Sequence, residues 1–268
     1  MVKRKKKKGG KKSLPALIVL LLVAAAAWLY EQPGSSAVGA TSDLHIAQLV
    51  SGSGQLVEHK GYTLCYNNST RNAHWVGYEL TDEEAQGVVE RGEKFCCDPL
   101  VRGKQATDDD YRGSGWDRGH LAPAADMKWS KEAMDESFYL SNVSPQNKNL
   151  NRGVWKKLEE LCRDKAELYG RIVIVTGPVF YNGHQKTIGK NRVAVPDAFF
   201  KVLLSDYNGT YRTIGFLMEN KAGKKGLKEY ARSVDEIEEI TGIDFFGALP
   251  DDIEKEAEKR YSTAFWGI

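Results

Sequence analysis

Two side chains that could act together on a phosphate ester, Arg118 and His120, lie close to each other in the sequence. They flank Gly119 in the segment Trp116–Asp126, which reads WDRGHLAPAAD. Imidazole titrates near neutral pH and can accept a proton from water, and guanidinium matches two phosphate oxygens. A glycine between them permits a tight turn and the close approach of another backbone. The spacing indicates hydrolysis of a phosphodiester, although an isolated histidine is more often structural.

A second polar segment, Tyr139–Gln146, follows at a distance that such chemistry could use. It reads YLSNVSPQ, and after it come LNRGVW at residues 150–155 and Leu158-Glu159. Together with the approach YRGSGWDRGH, these segments resemble the DNA/RNA non-specific endonucleases of the ββα-metal type. The wording up to His120 is most similar to the endonuclease G branch. The resemblance extends from about residue 61 to residue 205, and two motifs in the right order are a specific signal.

The resemblance implies hydrolysis of DNA and RNA with little sequence specificity, and it assigns residue roles. His120 corresponds to the general base, and Arg118 corresponds to a catalytic residue that stabilises charge on the phosphoryl group. Asn142 and Gln146 correspond to substrate-binding positions that, with Arg118, orient the phosphate and the catalytic residues. Arg91 resembles a further phosphate-binding arginine, but the local correspondence is loose and Arg91 is left out of the predicted site.

Asn151 corresponds to the family's single direct metal ligand, and the implied cofactor is Mg²⁺, with Mn²⁺ as a substitute. A neutral amide leaves the cation its charge and most of its waters, which suits Mg²⁺. Glu159 comes eight residues later, which is about 12 Å along a regular helix, so we expect it to act through metal-bound water. Two other interpretations stay open: Asn151 as a helix N-cap, and Glu159 as a surface partner of Lys156 or Arg163.

These roles combine into one expected mechanism. His120 takes a proton from water, hydroxide attacks the phosphorus in line, and Arg118 and Mg²⁺ stabilise the phosphorane-like state. A water on Mg²⁺ protonates the leaving 3′-oxygen. Products with 5′-phosphate and 3′-hydroxyl ends are what the resemblance implies.

Strands and a helix must bring these side chains together. Residues 62–66 and 75–80 alternate aromatic and small side chains, as strands do, and Ser137–Val143 is predicted to be a further strand. Apolar side chains from Val154 to Leu168 recur at helical spacing, which predicts a helix that opens at Asn151. The predicted fold is α+β, with a ββα-metal nuclease core on a mainly antiparallel β-sheet flanked by helices.

Charge and cysteine usage argue against two simpler functions. The net charge is +2, but residues 1–12 contain eight basic residues and no acid, so the rest of the chain is net acidic. This disfavours a binder of nucleic acid that depends on overall positive charge. The four cysteines include no CxxC pair, which disfavours a structural zinc site.

The N-terminal sequence predicts export. Residues 1–12 form a basic segment, residues 13–30 a signal or membrane anchor, residues 31–60 a linker, and residues 61–268 the endonuclease domain. Residues 14–30 carry no charge, and the positive-inside rule keeps the preceding lysines in the cytoplasm. We expect a membrane-anchored protein with an extracytoplasmic domain, or a secreted or periplasmic protein if the segment is cleaved. A mitochondrial presequence would be amphipathic and rich in arginine.

The predicted partners are DNA and RNA as substrates, the membrane through residues 14–30 if this segment is uncleaved, and a second copy of the chain in a possible homodimer. One alternative is a catalytically silent module that binds or takes up nucleic acid while tethered to the membrane. Another alternative is a phosphodiesterase for a small nucleotide. The presence of His120, Asn151 and Glu159 together favours the endonuclease over the silent module.

Overall fold

A seven-stranded antiparallel β-sheet forms the centre of the structure. The computed structural model describes residues 54–92, 94–181 and 186–268, so the predicted segments 1–12 and 13–30 and most of the linker lie outside the described residues. In chain order the strands are β1 Gln55–Glu58, β2 Thr63–Asn67, β3 Asn72–Thr81, β4 Asp117–His120, β5 Val143–Gln146, β6 Arg171–Val179, β7 Thr187–Ile188, β8 Val193–Ala194, β9 Ala198–Ser205, β10 Arg212–Glu219 and β11 Ala231–Arg232. The central sheet has the order β1-β2-β3-β6-β9-β10-β11, while β4 pairs with β5 and β7 pairs with β8.

Short helices and one long helix connect and cover these strands. They are α1 Asp82–Ala85, α2 Asp108–Tyr111, α3 Lys131–Glu136, α4 Lys148–Leu150, α5 Lys156–Tyr169, α6 Val234–Thr241, α7 Asp251–Glu258 and α8 Thr263–Trp266. A π-helical turn, Asn151–Trp155, joins α4 to α5. Single 3-10 turns occupy Ala124–Met127, Leu140–Asn142, Tyr207–Gly209 and Leu227–Tyr230.

Both faces of the central sheet are buried, which explains the apolar runs in its middle strands. On β9, Phe199 packs into a core with Leu158 of α5, whereas Phe200 packs into a second core with Ile237 of α6 and Phe245. Successive side chains of a strand point to opposite faces, so neighbouring residues serve different cores. Burying one such side chain contributes about 1.5–3 kcal/mol. The long helix α5 is thereby held across one face of the sheet.

The small ladder between β4 and β5 carries the histidine segment. Its register pairs Asp117 with Gln146, and His120 with Val143. Gly119 lies in the middle of this ladder against the side chain of Gln146, and a Cβ added to Gly119 would lie 2.5 Å from the Cβ of Gln146. The glycine therefore permits a close approach between the two strands that any larger residue would prevent.

The predicted strand over Ser137–Val143 is wrong in its bounds. Leu140–Asn142 forms a 3-10 turn, and the strand begins only at Val143. The turn is closed by the N–H of Asn142, which donates to the carbonyl of Tyr139 at 2.9 Å. An extended chain could not make this local bond, so the apolar pattern was mistaken for a strand.

The order strand, strand, helix is nevertheless present, and the α+β class with a mainly antiparallel sheet is confirmed. Strand β1 lies within the segment that was predicted to be a linker, since Gln55–Glu58 pairs with β2. Among the described residues, every helix is too short or too polar to cross a bilayer. The apolar segment at residues 14–30 lies outside the described residues.

The close approach at Gly119 predicts a cost for any side chain there. We expect Gly119→Ala to lower the free energy of unfolding by about 1–3 kcal/mol, the usual cost of overpacking a tight contact. Urea unfolding measures this difference. Gly226→Ala is the matched control, because a Cβ at that position meets no heavy atom within 4 Å. Equal stability of the two variants would contradict the tight packing of β4 on β5.

Candidate active site

A cavity of about 600 Å³ lies between β4, the π-helical turn and α5. Four of the six predicted site residues line it. They are Arg118, His120, Asn151 and Glu159. Four further cationic side chains complete the wall, namely Arg91, Arg152, Lys156 and Arg163. The structure therefore brings a candidate base, a candidate metal ligand and a carboxylate together among positive charges, in a chain whose overall charge is nearly balanced.

His120 lies against two aromatic rings at the edge of the cavity. Its ring centroid is 5.3 Å from that of Phe95 and 5.2 Å from that of Phe138. Burial, with a smaller contribution from the charge of Arg91, lowers the pKa of His120 to about 3. The imidazole is therefore neutral at pH 7 and able to accept a proton. Its Nε2 atom is buried and has no hydrogen-bond partner among the described residues, which leaves it available to a water molecule or a substrate.

Asn151 occupies the π-helical turn and is not the N-cap of a helix. The N-cap is Asn147, whose side chain accepts hydrogen bonds from the backbone N–H groups of Asn149 and Leu150. The side-chain Nδ2 of Asn151 donates to Oδ2 of Asp117 at 3.1 Å. No described residue donates to the remaining amide oxygen, and an oxygen is the donor atom that a hard cation such as Mg²⁺ prefers. The side chain thus fits the predicted metal ligand, and the N-cap interpretation is wrong.

The side chain of Glu159 lines the cavity from α5, and the buried Lys201 lies near it. Burial raises the pKa of Glu159 to about 8, against the opposing effect of the Lys201 charge. Lys201 is fully buried on β9; its Nζ donates to the carbonyl of Leu121 at 3.4 Å and lies 5.2 Å from the ring centroid of Trp155. The structure shows no ion pair from Glu159 to Lys156 or Arg163 among the described residues. The surface-pair interpretation of Glu159 is therefore wrong.

Arg118 lines the cavity but already has an acidic partner. One guanidinium nitrogen lies 2.6 Å from Oδ1 of Asp108 and donates to the Asp108 carbonyl at 3.0 Å. The guanidinium also lies over the rings of Phe95 and Tyr111, at 5.6 and 5.5 Å from their centroids. These contacts orient the arginine along the cavity wall, and a substrate phosphate would compete with Asp108 for it.

Asn142 was predicted to bind substrate and to orient the catalytic residues, and the structure places its side chain away from the cavity. The side chain is fully buried and does not line the cavity. Its amide oxygen accepts from the N–H of Ala122 at 2.9 Å, and its Nδ2 donates to the carbonyls of Ala122 and Ser137. Because the amide is fully used by backbone groups, Asn142 fixes the loop that follows His120.

Gln146 is also buried and lies outside the cavity lining, opposite Asp117 on β5. Unlike Asn142, it has both amide atoms buried without a hydrogen-bond partner among the described residues. Buried polar groups of this kind are usually satisfied by water or a ligand. Its substrate-binding role stays a prediction.

Two aspartates anchor the elements that meet at the cavity. Asp117, the first residue of β4, binds Asn151 and also the guanidinium of Arg152, with Nε 2.8 Å from Oδ2. Asp126 is fully buried and accepts from the hydroxyl of Tyr78 at 2.8 Å and from Arg163 at 2.7 Å. Asp117 thus joins β4 to the π-helical turn. Asp126 joins the segment after His120 to β3 and to α5.

Sequence reasoning left Arg91 out of the site, yet the structure places it on the cavity wall. Its guanidinium lies 5.2 Å from the ring centroid of Phe138, the same ring that contacts His120. The loose resemblance around Phe95 was the only signal in the sequence that pointed to this arginine. The cation–π contact with Phe138 could not be seen in the sequence, because it joins segments 47 positions apart.

Comparisons with known proteins agree with this geometry. Residues 41–252 match the DNA/RNA non-specific endonuclease family. The chain is 40% identical over 209 residues to mitochondrial endonuclease G of Homo sapiens. The aligned region covers 72% of this chain and 70% of that protein. The chain is 39% identical over 228 residues to the Bos taurus protein, which covers 80% and 76%. The crystal structure of the EndoG/EndoGI complex matches with a TM-score of 0.71 and 29% identity, over 76% of this chain and 90% of that one, and confirms the predicted fold.

The predicted localisation is contradicted by these relatives. We expected a membrane-anchored, secreted or periplasmic protein, but the relatives from Homo sapiens, Bos taurus and Schizosaccharomyces pombe are named as mitochondrial. The expectation depended on a basic run followed by an apolar segment. At seventeen uncharged residues, that segment falls short of the roughly 20 that a membrane span needs.

The raised pKa of Glu159 predicts a stability cost that grows with pH when no cation is bound. The folded protein keeps this carboxyl protonated up to about pH 8, whereas the ordinary pKa is 4.5. The folded state therefore binds more protons, and stability falls as the pH rises from 4.5 towards 8. We expect Glu159→Gln in EDTA to be more stable than the parent by about 1–3 kcal/mol at pH 9 and nearly equal at pH 5.

Thermal unfolding at the two pH values measures this difference. Glu160→Gln is the matched control, because Glu160 is an exposed neighbour on the same helix and should show no such change. The assignment fails if the parent and Glu159→Gln respond to pH in the same way.

Proposed function

The chain belongs to the DNA/RNA non-specific endonuclease family, and from this premise we propose that it cleaves DNA and RNA with little sequence specificity, with His120 as general base and a divalent cation held by Asn151. Nuclease activity follows from the family, whose members are metal-dependent. The observation that carries the residue assignments is the convergence of His120, Asn151 and Glu159 on one cavity lined with basic side chains.

His120 is suited to start the reaction because it is neutral at pH 7 and its Nε2 is unpaired. A water hydrogen-bonded to Nε2 gives its proton to the ring while its oxygen attacks phosphorus, and the bond from phosphorus to the 3′-oxygen breaks. Such proton transfer contributes about 10²–10⁴-fold to the rate. The aromatic contacts with Phe95 and Phe138 hold the ring in place.

Asn151 would hold the cation through its amide oxygen, since Asp117 fixes the amide nitrogen. A cation such as Mg²⁺, with Mn²⁺ as a substitute, would supply positive charge to the scissile phosphate and to the leaving oxygen. Glu159 faces the same cavity from α5. Its proposed role is to complete the polar environment of that cation, and a positive charge nearby would favour the ionised carboxylate.

The remaining cavity residues are proposed to hold the nucleic-acid backbone. Arg91, Arg152 and Lys156 are exposed at the cavity. Arg118, Arg152 and Arg163 are each held in part by an aspartate, namely Asp108, Asp117 and Asp126. Contacts to phosphate position a nucleic acid without reading its sequence. A wall made mainly of guanidinium and ammonium groups therefore supports cleavage of both DNA and RNA, with Gln146 proposed as an additional polar contact.

Removing the imidazole should abolish most cleavage without preventing binding. We expect His120→Ala to digest plasmid DNA and RNA at least 10²–10⁴-fold more slowly than the parent in Mg²⁺, and EDTA should stop the parent. His74→Ala is the matched control, because His74 lies on β3 and does not line the cavity. Parental rates in His120→Ala would refute the assignment, and tight binding by the parent without cleavage in Mg²⁺ would instead support a silent binding module.

Arg91 should contribute to binding through phosphate. We expect Arg91→Ala to raise KM for DNA and RNA alike and to reduce the salt dependence of binding by about one phosphate contact. Titrations at several salt concentrations measure this slope. Arg102→Ala is the matched control, since Arg102 is an exposed arginine on the same connection and does not line the cavity. An unchanged slope in Arg91→Ala would show that this arginine makes no phosphate contact.

A further inference from the structure

Three carboxylates converge where the two helices α6 and α7 meet. Asp235 and Glu238 lie one turn apart on α6, and Glu258 is the last residue of α7. One carboxylate oxygen from each lies within 4.8 Å of the other two. None of the three lines the active-site cavity, so the cluster is separate from the proposed catalytic centre.

Glu258 makes this cluster different from an ordinary acidic surface. Its side chain is only 3% exposed, and its Oε1 atom is buried without a hydrogen-bond partner among the described residues. A buried carboxylate is normally paired with a basic side chain or with N–H groups. Among the described residues, the ion pairs include none with Asp235, Glu238 or Glu258. The buried side chain of Glu258, with one oxygen unpartnered, therefore lies beside the carboxylates of Asp235 and Glu238.

Glu238 already has one hydrogen-bond partner, since its Oε1 accepts from the backbone N–H of Phe245 at 2.7 Å. The Oε1 of Glu258 has none among the described residues. Ionised carboxylates this close to one another repel unless a cation lies between them.

We infer that Asp235, Glu238 and Glu258 form a second divalent-cation site, of the calcium class. The three donors are all carboxylate oxygens, which hard cations prefer. Two ligands of one Ca²⁺ ion at about 2.4 Å lie no more than about 4.8 Å apart, and every pair of the three oxygens meets this condition. Mg²⁺ needs a near-ideal octahedron at about 2.0–2.1 Å and keeps several waters, which suits the open cavity at Asn151 better than a buried carboxylate.

The site would join α6 to α7 across the connection at residues 242–250. That connection places Phe245, Phe246 and Leu249 in the second core of the sheet. The helix α7 is otherwise held by bonds such as the one from the hydroxyl of Thr213 to the carbonyl of Ala257, at 2.7 Å. A cation bound by both helices would therefore stabilise the packing of this connection on the sheet and leave the reaction itself to the other site.

Thermal unfolding of the full chain, after removal of metal with EDTA, tests the inference with CaCl₂ or MgCl₂ added. For the parent we expect a rise in Tm of about 5–10 °C at a Ca²⁺ concentration a hundredfold above Kd, and a smaller rise with Mg²⁺. Glu258→Gln and Asp235→Asn should lose the Ca²⁺ response. Asn151→Ala should keep it, which separates this site from the catalytic one.

Glu256→Gln is the matched control, because Glu256 lies on the same helix, is exposed and pairs with Arg260; it should respond to Ca²⁺ like the parent. Equilibrium dialysis of ⁴⁵Ca²⁺ with Asn151→Ala should give one bound ion per chain, and the double variant with Glu258→Gln should bind none. The inference is overturned if Ca²⁺ leaves the parent's Tm unchanged, or if Glu258→Gln keeps the parental response.

Discussion

The carboxylate of Asp117 ties the strand that carries His120 to the helical turn that carries Asn151, and the geometry of the active site depends on this link. Asp117 begins β4, three residues before the histidine, and receives hydrogen bonds from Asn151 and Arg152. Bonds to an ionised carboxylate are stronger than neutral ones. By using the amide nitrogen of Asn151, Asp117 also determines that the amide oxygen is the atom left for a cation. Asp117 thus sets both the distance between β4 and the π-helical turn and the orientation of the Asn151 amide.

The π-helical turn Asn151–Trp155 is the second feature that positions the residues of the candidate site. Gly153 has φ −111° and ψ −113°, outside the helical region, and widens the chain between Asn151 and Trp155. Such turns are rare and often occur at functional sites. Trp155 is fully buried and its ring lies 5.2 Å from Nζ of Lys201. Packing of Trp155 in the core therefore holds the turn in place. The departure from helical dihedral angles is confined to Gly153, while α5 continues as a regular helix that carries Glu159.

The order of elements could be predicted from the sequence, because strand alternation and helical spacing are local signals, whereas the candidate site residues came from the resemblance of their motifs to a known family. The burial of Asn142 could not be predicted, since it depends on hydrogen bonds between its amide and the backbone of Ala122, twenty residues away. The place of Arg91 on the cavity wall likewise depends on a contact with the distant Phe138. The turn at Leu140–Asn142 and the cap at Asn147 are made by local bonds, whose signals were outweighed by the apolar pattern and by Asn151. The predicted localisation was wrong because it rested on the composition of the N-terminal segment alone, whereas the relatives are named as mitochondrial.

Basic and acidic side chains are concentrated in different parts of the domain, which the net charge of the chain does not reveal. The residues after position 12 are net acidic, yet the active-site cavity is lined by five arginine and lysine side chains besides His120, while Asp235, Glu238 and Glu258 gather at α6 and α7. A local potential, and not the overall charge, determines what approaches a site. The acids of this cluster lie away from the basic cavity. The same segregation gathers carboxylates at α6 and α7, where we infer the second cation site.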